Sequence, residues 1–327
     1  PYGINSESVA PSANRLQPLG GVLKFGNPRE LTKTEILDVI DSFINAAVIA
    51  KETGFTGVQL HSAHGYLLSE FLSPNINQRT DEWGGSLQNR ARLLLEIISG
   101  IRLKVGNNYP ISVKLNSSDF QKGGFTHEES LEVAKMLDQS SLDLLEISGG
   151  TYENFTALDI GSMNLKESRT IKPSRSTVVR EAYFLKYASE IKEHISIPLA
   201  VTGGFRSTDG MNKALETNAC DIIGLGRPLC SEPDLVNNLL NGNKSSAILY
   251  ENILELGPWI FGLNSPFKMI KSNNRVAQVY WCYRQILEIA DKRDVDPKIS
   301  LISALINHFR DDTKLSKKYK KYWQDLN

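Results

Sequence analysis

"GVQLHSAHGY", residues 57–66, sets the strand-like run Gly57-Val58-Gln59-Leu60 directly before two histidines three apart and a tyrosine. A helix is written upstream of it. Thr32 followed by Glu35 makes a capping box, in which side chain and backbone satisfy each other at the helix start. Ile36, Ile40, Phe43, Ala47 and Ala50 then recur at helical spacing, and Gly54 supplies a stop.

The same grammar repeats downstream. After a long irregular segment, Ser86 caps a second helix with the stripe Leu87, Ala91, Leu94, Ile98, Ile101 and Val105, ended by Gly106. Ile111 to Leu115 is the next strand. Thr126 with Glu129 repeats the capping box and opens a helix through Leu131, Ala134 and Leu137. Leu142 to Ser148 follows as a strand. An irregular excursion, 149 to 177, precedes a helix over residues 179–194. The strand Pro198 to Thr202 ends in Gly203-Gly204, and a short helix over 208–217 leads to the strand Asp221 to Leu225. Gly226-Arg227-Pro228 closes it, and Ser231 is placed to cap a further helix.

Such βα alternation predicts a parallel sheet with crossover helices. Five strands are visible, starting near 58, 111, 142, 199 and 221. The first 31 residues are rich in Pro, Gly, Asn and Ser and read as loop. The expected class is α/β. It is either an open doubly wound sheet or a (β/α)8 TIM barrel that is N-terminally incomplete, with about five of its eight units. Residues 1–241 are expected to form the partial barrel domain and 242–327 a C-terminal helical extension. Lys268 to Arg293 is mixed aromatic and basic, and 310–324 carries repeated lysines without a long apolar stripe. This predicts helices packed on the barrel with a solvated end. Trp259-Ile260-Phe261 is expected to be buried by packing rather than to touch a membrane.

Composition narrows the function. Lys plus Arg number 37 and Asp plus Glu 37, so net charge is zero, which argues against a general binder of nucleic acid or anionic membranes. Hydrophobic residues make up 41%, ordinary for a packed core. No apolar run reaches the roughly 18 residues of a membrane span. No signal peptide is visible, and the chain opens on Pro1, so its true N-terminus is expected upstream. Cys220, Cys230 and Cys282 show no metal-type spacing and read as buried thiols of a reducing compartment, which points to the cytoplasm. The expected partners are small molecules, with a homo-oligomer left open.

Ligands of parallel α/β folds sit at the carboxyl ends of the strands. His61, His64, Lys114, Glu146, Ser148, Gly203, Gly204, Gly226 and Arg227 all fall there. The two glycine turns read as a phosphate site: backbone N–H groups approach an anion closely where no Cβ intervenes, and Arg227 adds bidentate donors. Each turn taken alone is just a tight βα connection. Lys114 stands in a strand otherwise built of Ile111, Val113 and Leu115. An unpaired buried ammonium is costly, so Lys114 either meets an anionic or electron-rich partner or snorkels to solvent. The histidine pair lacks a third metal ligand, because His127, His194 and His308 lie elsewhere, so no metal is expected. The pair reads instead as two N–H donors aimed at an oxygen, with Tyr66 as a neutral acid able to deliver a proton.

With these residues laid out, the chain resembles the Old Yellow Enzyme family of FMN-dependent NAD(P)H:flavin oxidoreductases. The run 57–92, "GVQLHSAHGYLLSEFLSPNINQRTDEWGGSLQNRAR", carries most of the resemblance. "ISVKLNSSDFQKGGFTHEE", "EISGGTYE", "VTGGF" and "IIGLGRPL" follow in family order, so the match spans residues 8 to 241. The "VKLNSSDF" form is similar to the NADH oxidase-like or 2,4-dienoyl reductase-like branch.

The resemblance implies an FMN cofactor with NADH or NADPH as co-substrate. It implies that His61 and His64 bind the oxygen of an activated alkene and that Tyr66 protonates the α-carbon. It further implies that Lys114 stands beside the flavin, and that Gly203, Gly204, Gly224, Gly226 and Arg227 hold the FMN phosphate. Arg79, Thr80, Asp81 and Asn89 belong to the motif but are expected to shape the loop; Trp83 stands where tyrosine is commoner. Family members begin with about three further βα units, so the chain is expected to be a fragment or a truncated gene product. Two other readings stay open: a flavin-free phosphate-binding barrel enzyme, such as an aldolase or isomerase working through Lys114 or Glu146, and an inactive remnant acting as an interaction protein.

Overall fold

The computed structural model describes residues 7–14, 26–149 and 184–325. The capping boxes at Thr32 and Thr126 both form, and they open helices α1 (Lys33–Glu52) and α4 (His127–Asp138). Ser86 caps α3 (Leu87–Val105), which ends at Gly106 with φ 80°. Between them lie strands β3 (Val58–Ser62), β4 (Ile111–Asn116) and β5 (Leu144–Ser148). Helix α5 (Leu185–Lys192), strand β6 (Leu199–Thr202), helix α6 (Thr208–Glu216) and strand β7 (Ile222–Gly224) continue the alternation. The excursion 149–177 and the start of the 179–194 helix fall almost wholly outside the described residues.

Strand order decides between the two architectures. The five strands are parallel and lie side by side in the sequence order β3-β4-β5-β6-β7. A doubly wound sheet needs a point where that order reverses, which puts helices on both faces. Here the order never reverses, and right-handed crossovers then place every connecting helix on the same face. The described sheet is therefore a five-strand arc of the barrel type, with β3 and β7 each paired on one side among the described residues.

Burial follows the strand alternation. Leu60, Val113, Leu115, Leu145, Ile147, Leu199 and Val201 lie on the helix-covered side. They share one core with Ile36 and Ile40 of α1, Ile97 and Ile98 of α3, Leu137 of α4 and Ile191 of α5. Each such side chain withdrawn from water stabilises the fold by about 1.5–3 kcal/mol. The opposite face carries Gln59, His61, Ser112, Lys114, Glu146 and Thr202, polar side chains on a sheet whose other side is apolar.

Several local expectations need correction. The first 31 residues contain a two-residue parallel ladder, β1 (Val9–Ala10) with β2 (Arg29–Glu30). The segment after the histidines contains helix α2 (Leu67–Leu72), too short for a periodic stripe to announce. Ser231 is not a cap: it is the last residue of a short helix α7 (Arg227–Ser231), and Asp234 precedes α8 (Leu235–Leu240).

The tail does form helices, α9 (Lys268–Ala290) and α10 (Leu301–Asp325), packed on each other around Trp281, Ala277, Leu301 and Ala304. Helix α9 also touches α7. Trp259-Ile260-Phe261 is not buried: it forms a 3₁₀ turn with Trp259 91% exposed. No helix among the described residues is long and apolar enough to cross a membrane.

Candidate active site

The parallel register puts the candidate residues in rows. His61 is level with Lys114, Lys114 with Glu146, and Glu146 with Ala200. Two residues further along, Asn116 is level with Ser148, and Thr202 with Gly224. All the strand ends, and the loops that leave them, therefore gather on one rim.

Lys114 finds its partner within the protein. Its Nζ lies 2.9 Å from Oε1 of Glu146, and Gln59 Nε2 donates to Glu146 Oε2 at 2.8 Å. Burial opposes the Glu146 charge, but hydrogen bonds from Thr202, Lys114 and Gln59 together hold its pKa below the usual carboxylate range. Neither the snorkelling reading nor an unmet cation is needed. The ammonium keeps further donors beyond the one given to Glu146.

The opening stretch folds into a compact cluster. His61 ends its ring 5.1 Å from the His64 ring and 4.8 Å from the Tyr66 ring. His64 adopts φ 62° and Gly65 φ 78°, so the chain turns sharply straight after the strand. Positive φ is uncommon for histidine and is held here by specific bonds. The His64 amide donates to Asn116 Oδ1 at 3.2 Å, and His64 Nε2 meets Ser148 Oγ at 2.8 Å. Asn116 is itself oriented, because its Nδ2 donates to Asp119 Oδ1 at 3.0 Å. Asp119 is fixed in turn by Ser73 and the Phe125 amide.

Burial, reinforced by His61 and Lys114, pushes the His64 pKa down to about 4; burial and Lys114 also lower that of His61. Both imidazoles are therefore neutral near pH 7, and each then carries one N–H donor.

The far end of the rim is built from backbone. Gly203 and Gly204 have φ 140° and 85°. A Cβ on Gly203 would meet the Phe184 ring at 2.7 Å, and one on Gly224 would meet Thr202 Oγ1 at 1.7 Å. The amides of Gly203, Gly204 and Gly226 have no hydrogen-bond acceptor among the described residues. Arg227 starts α7 at this turn, but its guanidinium lies near Glu251, Arg206, Cys282 and Cys230, towards the C-terminal helices.

Residue-type reasoning missed Gln59, Asn116 and Thr202. Period two was the available signal: Gln59 is two before His61, and Asn116 two after Lys114, on the same face. Asp119 had no such signal. The loop residues behave as expected. Arg79 is buried, pairs with Asp81 at 2.7 Å and donates to the Pro11 and Leu31 carbonyls, while Asn89 donates to Gly84 O.

A singly wound parallel arc carries neutral histidines, a tyrosine and a lysine on its rim and open glycine amides at its end, a set of donors that suits a phosphorylated ligand. Known proteins agree. The family model for the NADH:flavin oxidoreductase / NADH oxidase family matches residues 4–245, and the chain belongs to that family. The NADH-dependent flavin oxidoreductase nadA of Aspergillus parasiticus (strain ATCC 56775 / NRRL 5862 / SRRC 143 / SU-1) is 40% identical over 226 residues, 69% of this chain and 48% of that protein.

Among solved structures, 2-naphthoyl-CoA reductase bound to 2-naphthoyl-CoA superposes with TM-score 0.61 and 34% identity, over 72% of this chain and 33% of its own. The Old Yellow Enzyme homologue of Zymomonas mobilis superposes with TM-score 0.58 and 26% identity, over 75% of this chain and 64% of its own. The chain thus spans about half or less of the length of the first two of these. FMN is the cofactor of this family. The residues present fit it: free amides and close-packed glycines at one end suit a phosphate, and an ammonium on the rim suits an electron-rich ring.

Proposed function

We propose that the protein reduces the carbon–carbon double bond of an α,β-unsaturated carbonyl compound, with NADH or NADPH as the electron source. The observation that carries this reading is the cluster of His61, His64 and Tyr66 beside Lys114, with both imidazoles neutral. FMN, when bound, supplies the hydride relay between nicotinamide and substrate.

The chain's own residues do the rest. His61 and His64 donate N–H bonds to the substrate oxygen, where negative charge develops as the bond is reduced. Ser148 and Asn116 hold His64 in place for that contact. Tyr66, 45% exposed at the rim, delivers its phenolic proton to the α-carbon. Lys114, steadied by Glu146, would supply the positive charge that favours an electron-rich flavin ring. The turns at Gly203, Gly204, Gly224 and Gly226, with the start of α7 at Arg227, would hold the phosphate. The polar face and rim argue for one small-molecule site, and the reducing cytoplasm is the setting that fits free thiols. Residues 1–241 act as the FMN-binding barrel portion and 242–327 as its helical extension. An aldolase-type reading fits less well, because a lysine in an ion pair with a carboxylate is a poor amine nucleophile.

The test separates the two half-reactions. Tyr66→Phe keeps FMN binding and the bleaching of flavin by nicotinamide, while alkene turnover falls roughly 10²–10⁴-fold. Unchanged turnover removes Tyr66 from the reaction. If the parent protein leaves the fluorescence of added FMN unaltered, the whole reading fails.

A further inference from the structure

The two ring nitrogens of His64 have different surroundings. Nε2 lies 2.8 Å from Ser148 Oγ, whereas Nδ1 has no hydrogen-bond partner among the described residues. The backbone under the ring is pinned. Three donors converge on the buried Asp119 carboxyl: Ser73 Oγ at 2.8 Å, the Phe125 amide at 3.0 Å and Asn116 Nδ2 at 3.0 Å. Asp119 therefore acts as acceptor, so Asn116 turns its amide nitrogen to Asp119 and its Oδ1 to the His64 N–H. Ser148 is held as well, because the Ser117 amide donates to its carbonyl at 2.7 Å.

The contact between Nε2 and Oγ can form in two ways. If Nε2 carries the proton, it donates to Ser148 and Nδ1 is left as an acceptor only. The serine O–H, on a buried residue, then needs a second acceptor, and none of the described residues supplies one. If the serine donates instead, Oγ–H bonds Nε2 and the single proton of the neutral ring sits on Nδ1. Every polar atom of the contact is then used, and a buried donor left unpaired is the costlier choice.

We propose that Ser148 is a positioning residue that fixes His64 as its Nδ1–H tautomer, so that Nδ1 is the nitrogen offered to a ligand oxygen at the rim.

For the proposed alkene reduction, on which this consequence rests, the substrate oxygen lies on the Nδ1 side of His64. His61 and His64 stabilise one oxygen together only when each turns a proton-bearing nitrogen to it. The other tautomer of His64 would present a lone pair there and repel the developing charge.

The tautomer is read directly by 15N NMR of the intact chain labelled at its five histidines, with the His64 signals identified by their loss in His64→Gln. At pH 7 Nδ1 is expected to be pyrrole-type and Nε2 pyridine-type. In Ser148→Ala the Nε2–H form, which free histidine favours, is expected to rise from the minor to the major form. Ser148→Thr, which keeps the hydroxyl, is expected to restore Nδ1–H. A parent ring protonated on Nε2, or a Ser148→Ala ring that keeps the parent's tautomer, would overturn the proposal. None of these readouts needs turnover, so a chain that shows Nδ1–H but reduces no alkene sinks the proposed function and leaves the tautomer standing.

Discussion

The two ends of the rim are made of different materials. The β3–β5 end is built from side chains: a histidine pair, a tyrosine, and a lysine locked to a glutamate. The β6–β7 end is built from backbone, with glycines whose missing Cβ atoms leave amides open. The first end stores charge and strain in named contacts. The second stores nothing but shape, and so is sensitive to added atoms rather than to removed ones.

Lys114→Met breaks the first end most severely. It leaves Glu146 12% exposed with no cation, which costs about 3 kcal/mol of stability in urea unfolding at pH 7. Adding Glu146→Gln in the same chain is expected to restore most of that loss. A single variant as stable as the parent would mean the pair holds nothing together.

The histidine turn predicts a pH dependence. The His64 pKa is depressed to about 4 in the fold, against about 6.5 unfolded. The unfolded chain therefore binds a proton that the folded chain refuses. Its contribution is fully present above about pH 6.5 and is lost as pH falls towards 4, by up to about 3 kcal/mol. In His64→Gln that part of the pH–stability curve should flatten.

At the other end, Gly224→Ala forces a Cβ to within 1.7 Å of Thr202 Oγ1 and is expected to cost about 1–3 kcal/mol. A smaller effect separates the two faces of β3. Ser62 Oγ is buried on the helix side without a partner among the described residues, so Ser62→Ala changes stability by less than about 1 kcal/mol, towards gain. Loss of FMN binding in Ser62→Ala would show that the site extends through the sheet.

The asymmetry also explains what could be read in advance. Capping boxes, helix stripes and glycine stops are local, and Thr32, Thr126 and Ser86 acted where their spacing predicted. His61, His64 and Tyr66 were legible because six consecutive residues hold them together. The partner of Lys114 was not. Glu146 lies on another strand, and only the register brings the two level. Trp259 misled because an aromatic run looks like core, while nothing in the sequence says which face the chain will present. The packing of α9 on α7 carries no spacing signal at all, since the two helices meet only in the tertiary structure.

By itself the sequence determined the parallel βα alternation, the starts of the capped helices α1, α3 and α4 and the chemical types at each strand end, because these depend on neighbours within a turn or two. The tertiary structure alone decided that the strands run in unbroken order, that Lys114 meets Glu146 and that α9 packs against α7. Those outcomes depend on which elements pack side by side, and short-range propensity carries no record of that.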